Sequence, residues 1–371
     1  MNIGVLAAGQ LGRMLALEGY DLGLQFRFLE PKLEAPATIL APSIQAEYTD
    51  FDALDQFADG LDVVTYEFEN VPVHSAEYLA KRLPFFPPPQ ALRISQDRYY
   101  EKSLFEELSI PTAPFRRADS AQDIQNAVQE IGLPLLLKTI QMGYDGKGQY
   151  RLQSQNEAGY AWQLLGEMPV ICEEVIPFDR ELSIVSVRSR NGEMAFYPLV
   201  ENHHRDGILH KTIAPAANVT PEMQAMAESY ARKVLQRFDY VGVLTIELFE
   251  KHGQLLANEM ASRVHNSGHW TLDGAVTSQF ENHIRAILGW PLGPTTPRGH
   301  SMMINLIGAT PATESIIQIP GAHLHLYNKS PRPGRKLGHV NLNALHPNDL
   351  AEAETRLLER MHEASHSPSA S

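Results

Sequence analysis

The chain has 371 residues, of which 43% are hydrophobic, 20% charged and 8% aromatic, a composition ordinary for a soluble protein of two or three domains. Its 31 Lys and Arg against 44 Asp and Glu give a formal net charge of −13, the wrong sign for displacing counterions from a nucleic acid or for holding an anionic membrane. The one cysteine, Cys172, cannot close an intramolecular disulfide, no Cys/His set has zinc-finger spacing, and no apolar run reaches the roughly 18 residues a bilayer span needs. With no basic region in Met1–Val5, the expectation is a cytoplasmic protein with neither nucleic-acid nor membrane partners.

The first element is the apolar run over residues 2–8. It ends in Gly9-Gln10-Leu11-Gly12 and passes into helix-forming residues, which reads as strand, glycine turn, helix. Segments 25–30 and 62–68 read as further strands separated by helical stretches, which implies βαβ units and a parallel sheet. The turn resembles a dinucleotide fingerprint with Glu30 as a ribose acid, but Ala7 stands where the first glycine belongs. Anion binding at a helix N-terminus near Gly9–Leu11 is the more general reading. The proline-rich stretch 83–90 reads as a stiff connector and domain boundary, followed by a helix over about 95–108. Short strands and hairpins follow from 133, a break comes at Gly289–Leu292, and a small β-rich unit precedes a disordered tail.

Three segments carry the chemistry. Gly143, Gly146 and Gly148, with Lys138 and Lys147 at base and tip, free a backbone to offer N–H groups to phosphate; a plain flexible hairpin remains the alternative. Glu247 and Glu259 lie in strand-like segments joined by Lys251-His252-Gly253. Folding symmetrically about Gly253 pairs 249 with 257 and 247 with 259, with Ile246, Leu248 and Leu256 on the opposite face. Two carboxylates about 5 Å apart on one face repel unless a cation lies between them, and oxygen-only ligands suit Mg²⁺; two solvated acids are the alternative. Arg263-Val264-His265-Asn266-Ser267-Gly268-His269 is dense in polar groups. His265 and His269 have the spacing of zinc ligands but no acidic third ligand beside them, and an arginine and histidine presented to an anion explain the segment more simply. Residues 329–336 gather four cations that a proline and glycine turn can aim at one phosphate.

Together the blocks GQLGRM (9–14), YEFENV (66–71), GYDGKGQ (143–149), NEMASRVHNSGHW (258–270) and RPGRKLGHVN (332–341) resemble the ATP-grasp superfamily and, within it, the N5-carboxyaminoimidazole ribonucleotide synthase family. The resemblance implies an α/β and α+β chain. A Rossmann-like pre-ATP-grasp parallel-sheet domain occupies 1–94, an ATP-grasp domain 95–292 with a lid near 139–149, and a small β-rich domain 293–371. It implies a homodimer that uses ATP and Mg²⁺, with Mn²⁺ as an alternative, to carboxylate aminoimidazole ribonucleotide with bicarbonate.

Carried over residue by residue, it gives Arg98 and Lys138 to the phosphates and Gly143, Tyr144, Asp145, Gly146, Lys147, Gly148 and Gln149 to the lid. Glu173, Glu174, Val175 and Ile176 go to the adenine edge, Glu181 to the ribose and His204 to the nucleotide's surroundings. Asn258 and Glu259 also contact the nucleotide, and Glu247 and Glu259 hold the metal. Gln10, Leu11 and Glu67 face the ribonucleotide, whose phosphate meets Lys329, Arg335 and Lys336. Arg263 and His265 hold bicarbonate or carboxyphosphate; Asp145, flanked by Tyr144 and Lys147, orients or deprotonates the amine. Residues 7–9 and Met142 depart from the family's usual glycines. A formate-dependent glycinamide ribonucleotide transformylase, a nicotinamide-dependent oxidoreductase and a non-catalytic nucleotide-binding module are the competing readings.

Overall fold

The computed structural model describes residues 1–141 and 148–366, with side chains to Glu363. Its N-terminal sheet is parallel, built from β1 (Asn2–Leu6), β2 (Gln25–Leu29), β3 (Ser43–Ile44) and β4 (Val63–Tyr66) in the order β3-β2-β1-β4. Ile3, Val5, Phe28, Val63 and Val64 are fully buried, as expected of strands covered on both faces by crossover helices. The helix Gln10–Asp21 follows β1 directly. Residues 83–86 are not a free connector: the amide of Phe86 donates to the carbonyl of Val64, which continues the sheet beyond β4. The helical stretch predicted after it breaks into Pro89–Ser95 and Arg98–Glu107, the second capped by Asp97 through the amides of Tyr99 and Tyr100.

A small antiparallel sheet of β5 (Phe115–Ala118), β6 (Leu135–Thr139), β7 (Gln149–Leu152) and β8 (Val170–Glu174), in the order β5-β8-β6-β7, packs on the helices Ala121–Ile131 and Ala158–Leu164. The third sheet is antiparallel and has nine strands: β9 (Arg180–Arg188), β10 (Met194–Phe196), β11 (Val200–Arg205), β12 (Ile208–Ala214), β13 (Gly242–Lys251), β14 (Gln254–Ala261), β15 (His300–Ile307), β16 (Ala322–Leu326) and β17 (Lys336–Ala344). The order β14-β13-β9-β11-β12-β15-β17-β16 is informative. Because Lys211 of β12 pairs with Ile304 of β15, the break at Gly289–Leu292 interrupts the chain and not the sheet. The C-terminal strands extend the central one.

One apolar cluster joins Ile3, Val5 and Phe26 of the N-terminal sheet to Val185, Val243 and Met303 of the large sheet through Phe280, Ile284 and Ile287 of the helix Gln279–Leu288. This shared core fixes the glycine turn after β1 relative to the strands of the large sheet. Among the described residues no helix is long and apolar enough to cross a membrane.

Candidate active site

The β13–β14 hairpin turns on His252 and Gly253, both with positive φ (52° and 80°), as a two-residue turn that matches strand twist requires. From that turn Lys251 pairs with Gln254, Phe249 with Leu256 and Leu248 with Ala257; the register then slips, and Glu247 pairs with Glu259. The expected pairing of 249 with 257 is therefore wrong while that of 247 with 259 is right. Asn258 is the extra residue of a β-bulge. Without the bulge Glu259 would point into the core beside Ile246, since a one-residue slip reverses every side chain. Leu256, expected opposite the acids, shares their face with Phe249; the core face is Ile246, Leu248, Leu255, Ala257 and Met260.

Glu247 is half-buried and its Oε1 lies 3.2 Å from His265 Nε2. Burial works to raise its pKa, but the His265 contact and the charges of His265, His204 and Lys336 outweigh it and lower it. Glu259 is exposed to the cleft, yet the protein around it and the facing Glu247 push its carboxyl up. Asn258 Oδ1 is buried with no partner. Two like charges in register, with an orphan amide oxygen on the residue next to Glu259, offer oxygen ligands only. Mg²⁺ fits this set, since that ion takes few protein ligands and completes its shell with water and phosphate oxygens.

Across the cleft, the Arg98 Nη1 donates to the carbonyl of Thr139 (2.8 Å) at the end of β6. Lys138 on β6 lies 3.2 Å from Glu173 Oε2 on β8. Glu173 is thus buried between cations and is not free for an adenine edge. Its second partner, Lys102, is fully buried, 3.5 Å from the same oxygen, and donates to the carbonyl of Ala257. Burial works to raise the Glu173 pKa, but the two lysines overcome it and lower it; burial lowers that of Lys102. Beside Lys102, buried Glu101 accepts from the amide of Met260, and burial together with Glu259's charge holds its pKa well above the usual carboxylate range. The sequence reading missed Glu101 and Lys102. Their one local signal was the spacing of Arg98, Glu101 and Lys102 along one helix face.

Of the segment 173–176, the amides of Glu174 and Val175 donate to the carbonyls of Pro114 and Pro134. Just beyond it, Phe178 stacks on Phe249 with ring centroids 4.6 Å apart. Phe249 is the register partner of Glu181, so an aromatic surface lies beside that acid on the face of Glu247. Ile176 is buried near this stack. Glu181 Oε2 lies 2.6 Å from His204 Nδ1, out of line for a hydrogen bond. Burial works to lower the His204 pKa, but Glu181 and the charges of Glu247 and Glu259 win and raise it.

Arg263 Nη2 lies 2.8 Å from Glu69 Oε2, and the amide of Ser262 donates to Glu69 Oε1. Glu69, inside YEFENV, was missed because its partner lies 194 positions on. Zinc is not supported at His265 and His269: His269 is buried against Phe280 and His339, and among the described residues no three His, Cys, Asp or Glu side chains are grouped to hold a metal. The Nδ1 of His265 accepts from the amide of Ser267, which leaves Nε2 to face Glu247.

The helix N-terminus after β1 is already occupied. Glu67, buried, accepts from the amides of Gly9 (2.8 Å), Leu11 (3.1 Å) and Gly12 (3.3 Å). Its carboxylate is the anion that the turn binds, so it holds the loop and does not face outward. Burial nonetheless raises its pKa despite those donors. Glu30 accepts from the amides of Ala8 and Lys32, which removes it as a ribose acid. Ala7 sits at φ 72°, a conformation that favours the glycine it replaces. Gln10 Oε1 accepts from Lys329 Nζ at 2.6 Å, so the loop between β16 and β17 meets the first turn of the helix. Arg335 hydrogen-bonds Ser330, and the charge of Lys336 falls on Glu247. The charges of Arg335 and Lys336 also fall on Lys329, so the three cations lie within electrostatic reach of one another. Gly143, Tyr144, Asp145, Gly146 and Lys147 lie outside the described residues. Gly148 (φ 68°) accepts from the amide of Thr139, and Gln149 pairs with Lys138.

Three family models match the chain. They are a ribonucleotide synthetase preATP-grasp domain over residues 1–96, an ATP-grasp domain over 103–280 and a phosphoribosylaminoimidazole carboxylase C-terminal domain over 301–353. The N5-carboxyaminoimidazole ribonucleotide synthase of Pseudomonas aeruginosa is 48% identical, over 97% of this chain and 98% of its own. The crystal structure of the N5-carboxyaminoimidazole ribonucleotide synthetase from Thermus thermophilus superposes with a TM-score of 0.94 at 50% identity, covering 99% of both chains. That of the Aspergillus clavatus synthase, in complex with ADP and 5-aminoimidazole ribonucleotide, superposes with a TM-score of 0.89 at 33% identity, covering 97% of this chain and 98% of the other.

Proposed function

This chain belongs to the N5-carboxyaminoimidazole ribonucleotide synthase family of ATP-grasp enzymes, and from that premise we propose how its site works. The reaction joins ATP, bicarbonate and 5-aminoimidazole ribonucleotide into N5-carboxyaminoimidazole ribonucleotide, ADP and phosphate. The observation that carries the residue assignments is the bulged hairpin, which sets Glu247 and Glu259 in register across a cleft from Arg98 and Lys138.

Glu247, Glu259 and the Asn258 amide oxygen hold Mg²⁺, or Mn²⁺ in its place; when bound, the ion supplies charge neutralisation for the phosphates. Arg98 and Lys138 bind the same phosphates, and Phe249 with Phe178 and Ile176 flanks the base beside Glu181. The lid residues Tyr144, Asp145 and Lys147 close over the site. An oxygen of bicarbonate attacks the γ-phosphorus, forming a P–O bond as the bond to ADP breaks. Arg263, held flat by Glu69, presents a planar fork to the carboxylate of the resulting carboxyphosphate, and His265 Nε2 lines the same pocket. The ribonucleotide amine then forms a C–N bond to the carbon as phosphate leaves, and Asp145 takes the amine proton.

Gln10 and Lys329 receive the ribonucleotide, with Glu67 holding the turn that presents Gln10. The domain limits 1–94, 95–292 and 293–371 and a homodimer complete the reading and rest on the family resemblance, and a cytoplasmic setting rests on the composition. Bicarbonate labelled in its oxygens provides the test: released phosphate carries one labelled oxygen if carboxyphosphate forms, and none if CO₂ reacts directly.

A further inference from the structure

Three buried charges beneath the phosphate end of the cleft do not balance, because the fourth titratable group there, Glu101 beside Lys102, is held toward its neutral form by burial and by the charge of Glu259. Glu173 offers one negative charge to two ammonium groups, Lys138 at 3.2 Å and Lys102 at 3.5 Å, and both meet the same oxygen, Oε2. The other oxygen, Oε1, is buried with no partner, so no further donor shares the load. The lysines differ in access. The Lys102 side chain is 2% exposed and also tied to the Ala257 carbonyl, whereas that of Lys138 is 11% exposed, at the end of β6 where the chain enters the cleft. Lys138 is the cation that can turn toward a phosphate, and Lys102 is the one that stays.

We propose that Lys102 is a positioning residue that acts through Lys138: by satisfying Glu173 from below, it leaves Lys138 with a surplus charge to give to the nucleotide phosphates. If Lys102 were absent, Glu173 and Lys138 would form a one-to-one buried pair. Breaking such a pair exposes an uncompensated charge, so Lys138 would be held on Glu173 and withdrawn from the nucleotide. The inference rests on the reading that Lys138 binds phosphate. It makes a prediction that a packing role for Lys102 does not, because a second substitution should undo the first. Wild type carries a net +1 on the triad. Lys102→Met reduces it to zero, and Lys102→Met with Glu173→Gln returns it to +1.

The experiment is calorimetric titration of the folded variants with ADP and Mg²⁺. Lys102→Met should weaken ADP binding about tenfold, the scale of one lost charge-assisted hydrogen bond. Adding Glu173→Gln should restore it to within about threefold of wild type. Glu173→Gln alone, which also decides the matter if Lys102→Met does not fold, should bind ADP at least as tightly as wild type. A double variant no better than Lys102→Met, or a Glu173→Gln variant that binds more weakly than wild type, overturns the proposal. Lys138→Met separates the two readings: if it binds ADP as wild type does, the phosphate assignment of Lys138 fails and takes the inference with it. If it weakens binding while Lys102→Met does not, only the inference fails.

Discussion

Substituting His283 by Gln should remove a measurable share of this enzyme's sensitivity to acid. His283 is buried on the helix Gln279–Leu288, where its Nδ1 accepts from the amide of Val243 on β13 and its Nε2 lies 2.9 Å from Thr65 Oγ1 on β4. The amide fixes Nδ1 as acceptor, so the single proton sits on Nε2 and is donated to Thr65. Gly242 is packed against the same ring, with room for no Cβ. A second proton would set N–H against N–H in a dry site, and burial pushes the histidine down from 6.5 to about 3. The folded state then resists protonation while the unfolded state accepts it near 6.5, so stability falls as pH drops below that value. Integrated from pH 7 to pH 5, the loss is about 2 kcal/mol, and it hardly depends on the folded value so long as that stays below 5.

Glutamine keeps both hydrogen bonds and cannot titrate. Denaturant unfolding at pH 7 and pH 5 should therefore show a difference about 2 kcal/mol smaller in His283→Gln than in wild type. The other buried histidines, His269 and His339, whose pKa values burial also lowers, are present in both proteins and cancel. Equal acid sensitivity in the two would refute the reasoning.

Deleting Asn258, the extra residue of the bulge, should leave a regular hairpin in which Leu248 still pairs with Ala257 and Glu247 with Glu259, so the chain should fold by circular dichroism and keep turnover at saturating Mg²⁺, while the Mg²⁺ concentration it requires rises about tenfold through loss of the amide oxygen; Asn258→Gly should raise it to a similar extent. Burial lowers the Lys329 pKa to about 8, so its charge is lost as pH rises through that value. The KM for aminoimidazole ribonucleotide should then climb above about pH 8 while that for ATP does not, and Lys329→Arg should remove the rise. A Cβ on Gly9 would lie 2.5 Å from Glu67 Oε1. Gly9→Ala should accordingly cost about 1–3 kcal/mol of stability, measured by thermal unfolding, through loss of the capping hydrogen bonds, and should raise the KM for the ribonucleotide.

Features whose cause is local were legible in the sequence. Alternation and a glycine turn placed Glu247 and Glu259 on one hairpin, and the run from β1 through Gly12 announced strand, turn and helix. The bulge was not legible, because a symmetric fold and a tight turn followed by a bulge predict the same pairing of the two acids and differ only nearer the turn. Pairings that span the chain were also hidden. Glu69 meets Arg263 194 positions away, and Lys102 on its helix meets Glu173 on β8. Glu30 and Glu67 looked like ligand acids because sequence cannot tell a carboxylate aimed at a substrate from one spent on backbone amides. The break at Gly289–Leu292 marked a change of unit in the sequence, yet β15 closes it by hydrogen bonding to β12.

The central claim is that a bulged hairpin presents a pair of acids which, with the facing cations, drives carboxylation of an amine at the expense of ATP. The most direct measurement is ADP formation as a function of bicarbonate and aminoimidazole ribonucleotide, in wild type and Glu259→Gln. Wild type should form one ADP per ribonucleotide consumed and depend on bicarbonate, and Glu259→Gln should fall by about a hundredfold or more with its fold intact. Turnover supported equally by formate with glycinamide ribonucleotide, or undiminished in Glu259→Gln, would contradict it.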